Sequence, residues 1–148
     1  MYAVIRPARE EELPRVLEMS HAFVEEGCCN GMVKDTLADL RGKRILLALA
    51  DDEPVGYAYG HVAEDIGHAG AWCDDDRYYE VDEIYVKPAW RDQGAGQRLF
   101  LALRREAMAA GCAQLHLNAC GRDWKRLLRF YCDHLGLRMW SASLYMEL

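Results

Sequence analysis

The stretch VKPAWRDQGAGQRL, residues 86–99, decides the fold. It leaves an apolar segment, passes a proline and two glycines, and enters an amphipathic helix. Gly94 and Gly96 flank Ala95 where that helix begins. The first turn of a helix presents N–H groups without intrahelical acceptors and the positive end of the helix dipole. Glycine lets an anion approach such a backbone closely, because no Cβ intervenes. Arg91 and Arg98 add positive charge. The arrangement suits a diphosphate.

Three phosphate-binding patterns compete for this turn. A P-loop requires G-x-x-x-x-G-K-[ST], which the chain lacks. A dinucleotide fingerprint requires a third glycine or alanine, where Leu99 stands, and an acidic residue closing the next strand, which QLHLNA does not offer. The third pattern is a coenzyme A turn.

Working outward, YYEVDEIYV (78–86) reads as a strand with three carboxylates, stopped by Pro88. Strict alternation places Glu80, Asp82, Ile84 and Val86 on one face, and Val81, Glu83 and Tyr85 on the other. RILLALA (44–50) and VGYAYGHV (55–62) read as a hairpin around DDEP. YAVIRP opens the chain as a strand. Leu13, Val16, Leu17, Ser20, Phe23 and Val24 recur at helical spacing, and Val33, Leu37 and Leu40 suggest a shorter helix. Beyond residue 99, apolar periodicity continues the helix to Gly111. AQLHLNA (113–119) alternates as a strand, Asp123 caps a helix over 124–134, and LRMW and SLYMEL suggest a final strand pair. The fold class expected is α/β (α+β): one domain over 1–148, with a mixed, mostly antiparallel sheet of six to seven strands and about four helices on its faces.

The whole chain narrows the function. Its 148 residues carry 18 basic and 24 acidic side chains, a net charge of −6, which argues against nucleic-acid binding. No apolar run reaches the roughly 18 residues of a membrane span. The acidic N-terminal stretch lacks a signal-peptide layout, so a cytoplasmic location is expected. Six cysteines and five histidines fall at no metal-ligand spacing, so neither a metal nor a disulfide framework is expected.

The pattern V-x-P-x-x-R-x-x-G-x-G, as Val86, Pro88, Arg91, Gly94 and Gly96, resembles the signature of the GNAT superfamily of acetyl-CoA-dependent N-acetyltransferases. RFYCDHLGL (129–137), the opening VIRPAREEELPRVLEM and DDEPVGYAYGHV extend the resemblance over nearly the full length. The resemblance implies that the backbone of Ile84, Tyr85 and Val86 holds the pantetheine arm. It implies that Arg91, Asp92, Gln93, Gly94, Ala95, Gly96, Gln97 and Arg98 cradle the diphosphate. AQLHLNA would splay from the carboxylate strand to admit the thioester. The expected reaction is transfer of the acetyl group of acetyl-CoA to a primary amine of a small molecule or peptide.

Aminolysis needs a base for the amine, a donor for the oxyanion and an acid for the departing thiolate. A backbone N–H near Tyr85 or Val86 could supply the oxyanion donor. Family members with a strand carboxylate place it four or six residues before the valine, which gives Asp82 and Glu80; Glu83 is the lesser candidate. Tyr131 resembles the family's acid. It lies five residues before Gly136, where the family has four; counting four back lands on Cys132, and an extra residue near Asp133–His134 would restore Tyr131. The family's asparagine seven residues earlier is replaced by Trp124, and Asn118 is the substitute on offer. Asp74, Asp75 and Asp76, with Glu80 and Asp82, could draw in a cationic amine, and EEGCCNGMVKD (25–35) would form the acceptor wall. Tyr57, Tyr59 and Trp72 could line the pocket, and His116 could face the cleft. The alternative is a non-catalytic CoA-binding sensor or regulatory module. The closing strands are suited to pairing between two copies, which would make a homodimer.

Overall fold

The computed structural model describes residues 3–64 and 77–148. Five strands form one sheet in sequential order: β1 (Val4–Pro7), β2 (Ile45–Ala50), β3 (Glu53–Glu64), β4 (Arg77–Val86) and β5 (Gln114–Leu117). Neighbours run antiparallel except β4 and β5, which are parallel. The β2–β3 hairpin turns on Asp51 and Asp52, at φ 49° and 64°, a left-handed pair that matches the twist of the strands it joins.

The helices lie on both faces. On one, α1 (Leu13–Glu25) buries Leu13, Val16 and Met19 against Ile45, Leu47, Tyr57 and Tyr85. The one-turn α2 (Leu37–Leu40) adds Leu40 and is capped by Thr36, whose hydroxyl accepts from the Asp39 amide. On the other face, α3 (Ala95–Ala109) buries Leu99, Ala102, Leu103 and Ala107 against Leu46, Ala48, Tyr79 and Val81. The helix α4 (Trp124–Leu128) is capped by Asp123, whose side chain accepts from the Arg126 amide at 3.2 Å. It continues as a π-turn over Arg129–His134.

Two expectations need correction. The sheet has five strands among the described residues, not six to seven. Residues 136–148 take no regular structure, and Leu144, Tyr145 and Met146 are at least 81% exposed. A strand exists only where a neighbour accepts its backbone hydrogen bonds, and no strand pairs with the outer edge of β5 among the described residues. Second, the α2 helix starts later than its apolar spacing suggests, because Val33 is 84% exposed and contributes nothing to the core.

Candidate active site

β4 does not alternate as its sequence predicts. Tyr59 pairs with Glu83 and Gly60 with Val81, so Asp82 is an extra residue opposite no partner, a β-bulge. Tyr79 and Val81 face α3 before the bulge, and Ile84 and Val86 face it afterwards. Glu83 and Tyr85 therefore turn toward α1, the face that Glu80 occupies by alternation with Tyr79 and Val81. The predicted split of Glu80 and Asp82 from Glu83 is thus overturned. The insertion reverses the parity of the strand and gathers the carboxylates on one side.

The three differ in surroundings. Asp82 Oδ2 lies 2.8 Å from His61 Nδ1, and its side chain is one-third exposed. Glu83 accepts a hydrogen bond from the Tyr57 hydroxyl. Burial pushes the Glu83 carboxyl above its ordinary range, opposed by that hydrogen bond. Tyr57 and Tyr59 stack at 6.4 Å on the same side. Ser20, at the middle of α1, donates to Asp35 at 2.6 Å, which adds a carboxylate from the α1–α2 loop. His116 packs on the Tyr78 ring at 4.4 Å, on the face away from α3. Trp72 and Asp74–Asp76 lie outside the described residues.

The bulge also ends the pairing with β5. β4 and β5 are joined only through Tyr78–Val81 with Gln114–Leu117. Beyond Val81 the β5-facing edge of β4, from Asp82 to Val86, has no strand partner among the described residues. That open edge leads straight into the glycine turn. Gly94, at φ 85°, starts α3 and brings no side-chain acceptor to its first amides. A Cβ at Gly94 would meet nothing within 4 Å, so the turn faces open space. At Gly96 a Cβ would come within 3.3 Å of the Phe130 ring. Gly96 thus also packs closely against Phe130, which would have to shift slightly to admit a side chain there, a reason the spacing could not disclose.

The side chains of the turn are occupied. Arg91 donates from Nε to the Val86 carbonyl at 2.8 Å and from Nη2 to both Glu26 oxygens at 2.7 Å. Asp92 accepts from Arg126, Gln93 donates to the Ala89 carbonyl, and Arg98 donates to the Ala3 carbonyl. What the turn presents is chiefly its backbone. Glu26, which no motif singles out, proves to be the main partner of Arg91.

Tyr131 sits on the π-turn. A π-turn accommodates one residue more than an α-helical turn, and the Leu135 amide reaches back five residues to the Phe130 carbonyl at 3.1 Å. This is the extra residue that the five-residue spacing to Gly136 called for. Phe130 touches the start of α3, and Tyr131 packs edge-on against Phe100 at 6.5 Å. Burial pushes the Tyr131 phenol up to about 12. Its hydroxyl has no hydrogen-bond partner among the described residues.

The model of the acetyltransferase (GNAT) family matches residues 5–137. The chain belongs to the GNAT family. As a GNAT chain it is 38% identical, over 52 residues, to the thialysine N-epsilon-acetyltransferase of Bos taurus; that stretch is 34% of this chain and spans only 29% of the relative's length. Its fold is that of an aminoglycoside N-acetyltransferase solved in complex with CoA (TM-score 0.74, 19% identity, 99% of this chain and 95% of that one). It is likewise similar to a ribosomal-protein-alanine N-acetyltransferase from Brucella melitensis (TM-score 0.72, 18% identity, 100% of both chains). Among the described residues no helix is long and apolar enough to cross a membrane, and no three His, Cys, Asp or Glu side chains are grouped to hold a metal.

Proposed function

We propose that this GNAT chain transfers the acetyl group of acetyl-CoA to a primary amine of a small molecule or peptide. The carrying observation is the edge of β4 from Asp82 to Val86, which has no strand partner among the described residues and runs directly into the first turn of α3. A strand edge offers a row of amide partners to an amide-bearing arm, and the helix N-terminus offers N–H groups to a diphosphate. Ile84, Tyr85 and Val86 hold the arm. The turn from Arg91 to Arg98 holds the diphosphate mainly through backbone, since its side chains are engaged elsewhere.

Bound acetyl-CoA supplies an activated acetyl group as a thioester. The chain's residues manage the protons. A carboxylate at the bulge takes one from the amine; the candidates are Glu83, Asp82 and Glu80. Glu83 comes first, because its buried carboxyl has a raised affinity for protons, closer to what a base at neutral pH requires. A backbone N–H at Tyr85 or Val86 donates to the oxyanion. The Tyr131 hydroxyl donates to the departing sulfur, and burial keeps that phenol protonated well above neutral pH.

The acceptor is proposed to be cationic. Asp82 beside His61, Glu83 against the Tyr57 hydroxyl and Asp35 against Ser20 supply carboxylates that favour an ammonium group before it is deprotonated. A cytoplasmic setting is proposed, in which the six cysteines would stay reduced. A second copy is the partner proposed for residues 137–148, which expose apolar side chains, while the outer edge of β5 has no strand partner among the described residues.

Calorimetric titration with CoA and acetyl-CoA, followed by a mass-spectrometric screen of an amine library, tests the reading. Binding with acetylated product is expected. An absence of CoA binding overturns it; binding without any product would favour the sensor module.

A further inference from the structure

Asp82 is the residue that the bulge of β4 leaves without a partner on β3, and its carboxylate is spent on His61. Asp82 Oδ2 lies 2.8 Å from His61 Nδ1. His61 stands on the α1 side of β3, as Tyr57 and Tyr59 do, because its neighbour Val62 packs with the α3-side core. A carboxylate only accepts, so the contact puts the imidazole proton on Nδ1 and leaves the lone pair on Nε2. Nε2 has no hydrogen-bond partner among the described residues. Asp82 thus fixes the tautomer and the ring of His61, and it stabilises the imidazolium that a proton on Nε2 would make.

The pair differs from Glu83 in its access to water. Glu83 is enclosed with Tyr57, whereas the side chains of His61 and Asp82 are 57% and 34% exposed. Tyr59, His61 and Asp82 line one groove of about 690 Å³ with Lys43 and Glu106, which has room for solvent. Glu83 lies beside this groove: it follows Asp82 in the chain and pairs with Tyr59 across the sheet. Burial, and after it the charges of Asp35 and Asp82, hold the Glu83 carboxyl above its ordinary range. A base so placed takes a proton readily but has to lose it before the next turnover, and its enclosure slows that loss. An exposed imidazole exchanges protons with water near neutral pH more readily than a carboxylic acid or a phenol. An ion pair this exposed adds little to stability, so packing does not account for the arrangement.

We propose that His61 carries the proton taken from the acceptor amine out to solvent, and that Asp82 is a positioning residue that acts through His61 rather than on the amine itself. The inference rests on the acetyl-CoA reading and adds a proton exit to it. An ammonium group loses two protons when it becomes an amide. The departing sulfur keeps one; the other leaves through His61 Nε2 and passes to water.

The experiment uses the full chain, acetyl-CoA and an amine that the wild type acetylates, in dilute buffer, with imidazole added as a mobile proton carrier. His61→Gln should lower kcat about 10-fold or more, with CoA affinity unchanged and the melting temperature near that of wild type. Added imidazole should restore kcat of His61→Gln in a saturable way and leave wild type unmoved, a response that a structural role would not give. Asp82→Asn keeps the shape and removes the charge; it should also lower kcat, and the double variant should lose no more than His61→Gln alone. If His61→Gln keeps the wild-type kcat, if imidazole restores none of the loss, or if the double variant loses more than the single one, the inference is overturned while the acetyl-CoA reading stands. If the wild type acetylates no amine, that reading fails and the inference with it.

Discussion

At Tyr131 the proposed chemistry depends on one hydroxyl. Tyr131→Phe removes it without removing a hydrogen bond to any described residue, so the melting temperature should hold within about 2 °C while kcat falls roughly 100-fold or more. Steady-state rates and a thermal melt on the same preparation check both. The sign of its titration follows from burial: the folded phenol binds its proton more tightly than the unfolded one. Its contribution is present below about pH 10 and is lost as pH rises toward about 12. No alkaline limb from Tyr131 should therefore appear below that range. At Glu83 the shift is also upward, so as the proposed base it becomes active as pH rises through that raised value. Glu83→Gln should abolish the acidic limb of kcat/KM; an unchanged limb assigns the base to Asp82 or Glu80. The role proposed for Tyr131 comes from its resemblance to the family's acid, and its odd spacing from Gly136 anticipated the residue that the π-turn adds. Glu26 was not legible, because nothing in the local sequence ties residue 26 to residue 91.

Among the elements, the bulge of β4 is what assembles the site, and Gly60 permits it. A Cβ there would lie 2.4 Å from the Glu80 carbonyl oxygen and 2.6 Å from the Tyr79 ring. Gly60→Ala should cost about 1–3 kcal/mol, read as a lowered urea midpoint, and should lower activity by displacing the carboxylates. A second element contact joins β1 to the turn before α1. Arg6 donates to both oxygens of Glu12 at 2.8 and 2.7 Å, and the Arg9 amide adds a third bond at 2.8 Å. The Arg6 hydrogen bonds, with help from Arg9, lower the Glu12 carboxyl from an ordinary 4.5 to about 2. A depressed carboxyl contributes stability that is full above about pH 4.5 and fades as pH falls toward 2. Glu12→Gln should lower the urea midpoint at pH 6 and leave it nearly unchanged at pH 2. The five strands of the sheet and the helices α1, α3 and α4 were legible from period and caps; the closing strand pair and the early start of α2 were not found. The bulge was not: alternation is a local rule, and an inserted residue shows only when a neighbouring strand fails to pair with it.

For the whole molecule, the exposed closing segment is the feature a lone chain does not explain. Met139, Leu144, Tyr145, Met146 and Leu148 are all at least 63% exposed. Apolar side chains gathered in one segment mark a surface that another surface covers. Light scattering should report a dimer for the full chain and a monomer once residues 139–148 are removed; a monomeric full chain overturns the pairing. The sequence by itself determined the family, the single mixed sheet and the glycine turn at the head of α3. The family follows from the resemblance of Val86, Pro88, Arg91, Gly94 and Gly96 to its signature; the sheet and the turn depend on short-range rules of periodicity and capping, which neighbouring residues carry among themselves. Only the tertiary structure decided which carboxylates share a face, that Gly96 lies close against Phe130, where the Arg91 guanidinium is spent and that residues 136–148 form no strand with the described residues. Each of those depends on a contact between segments far apart in sequence, and such contacts exist only once the sheet has brought the segments together.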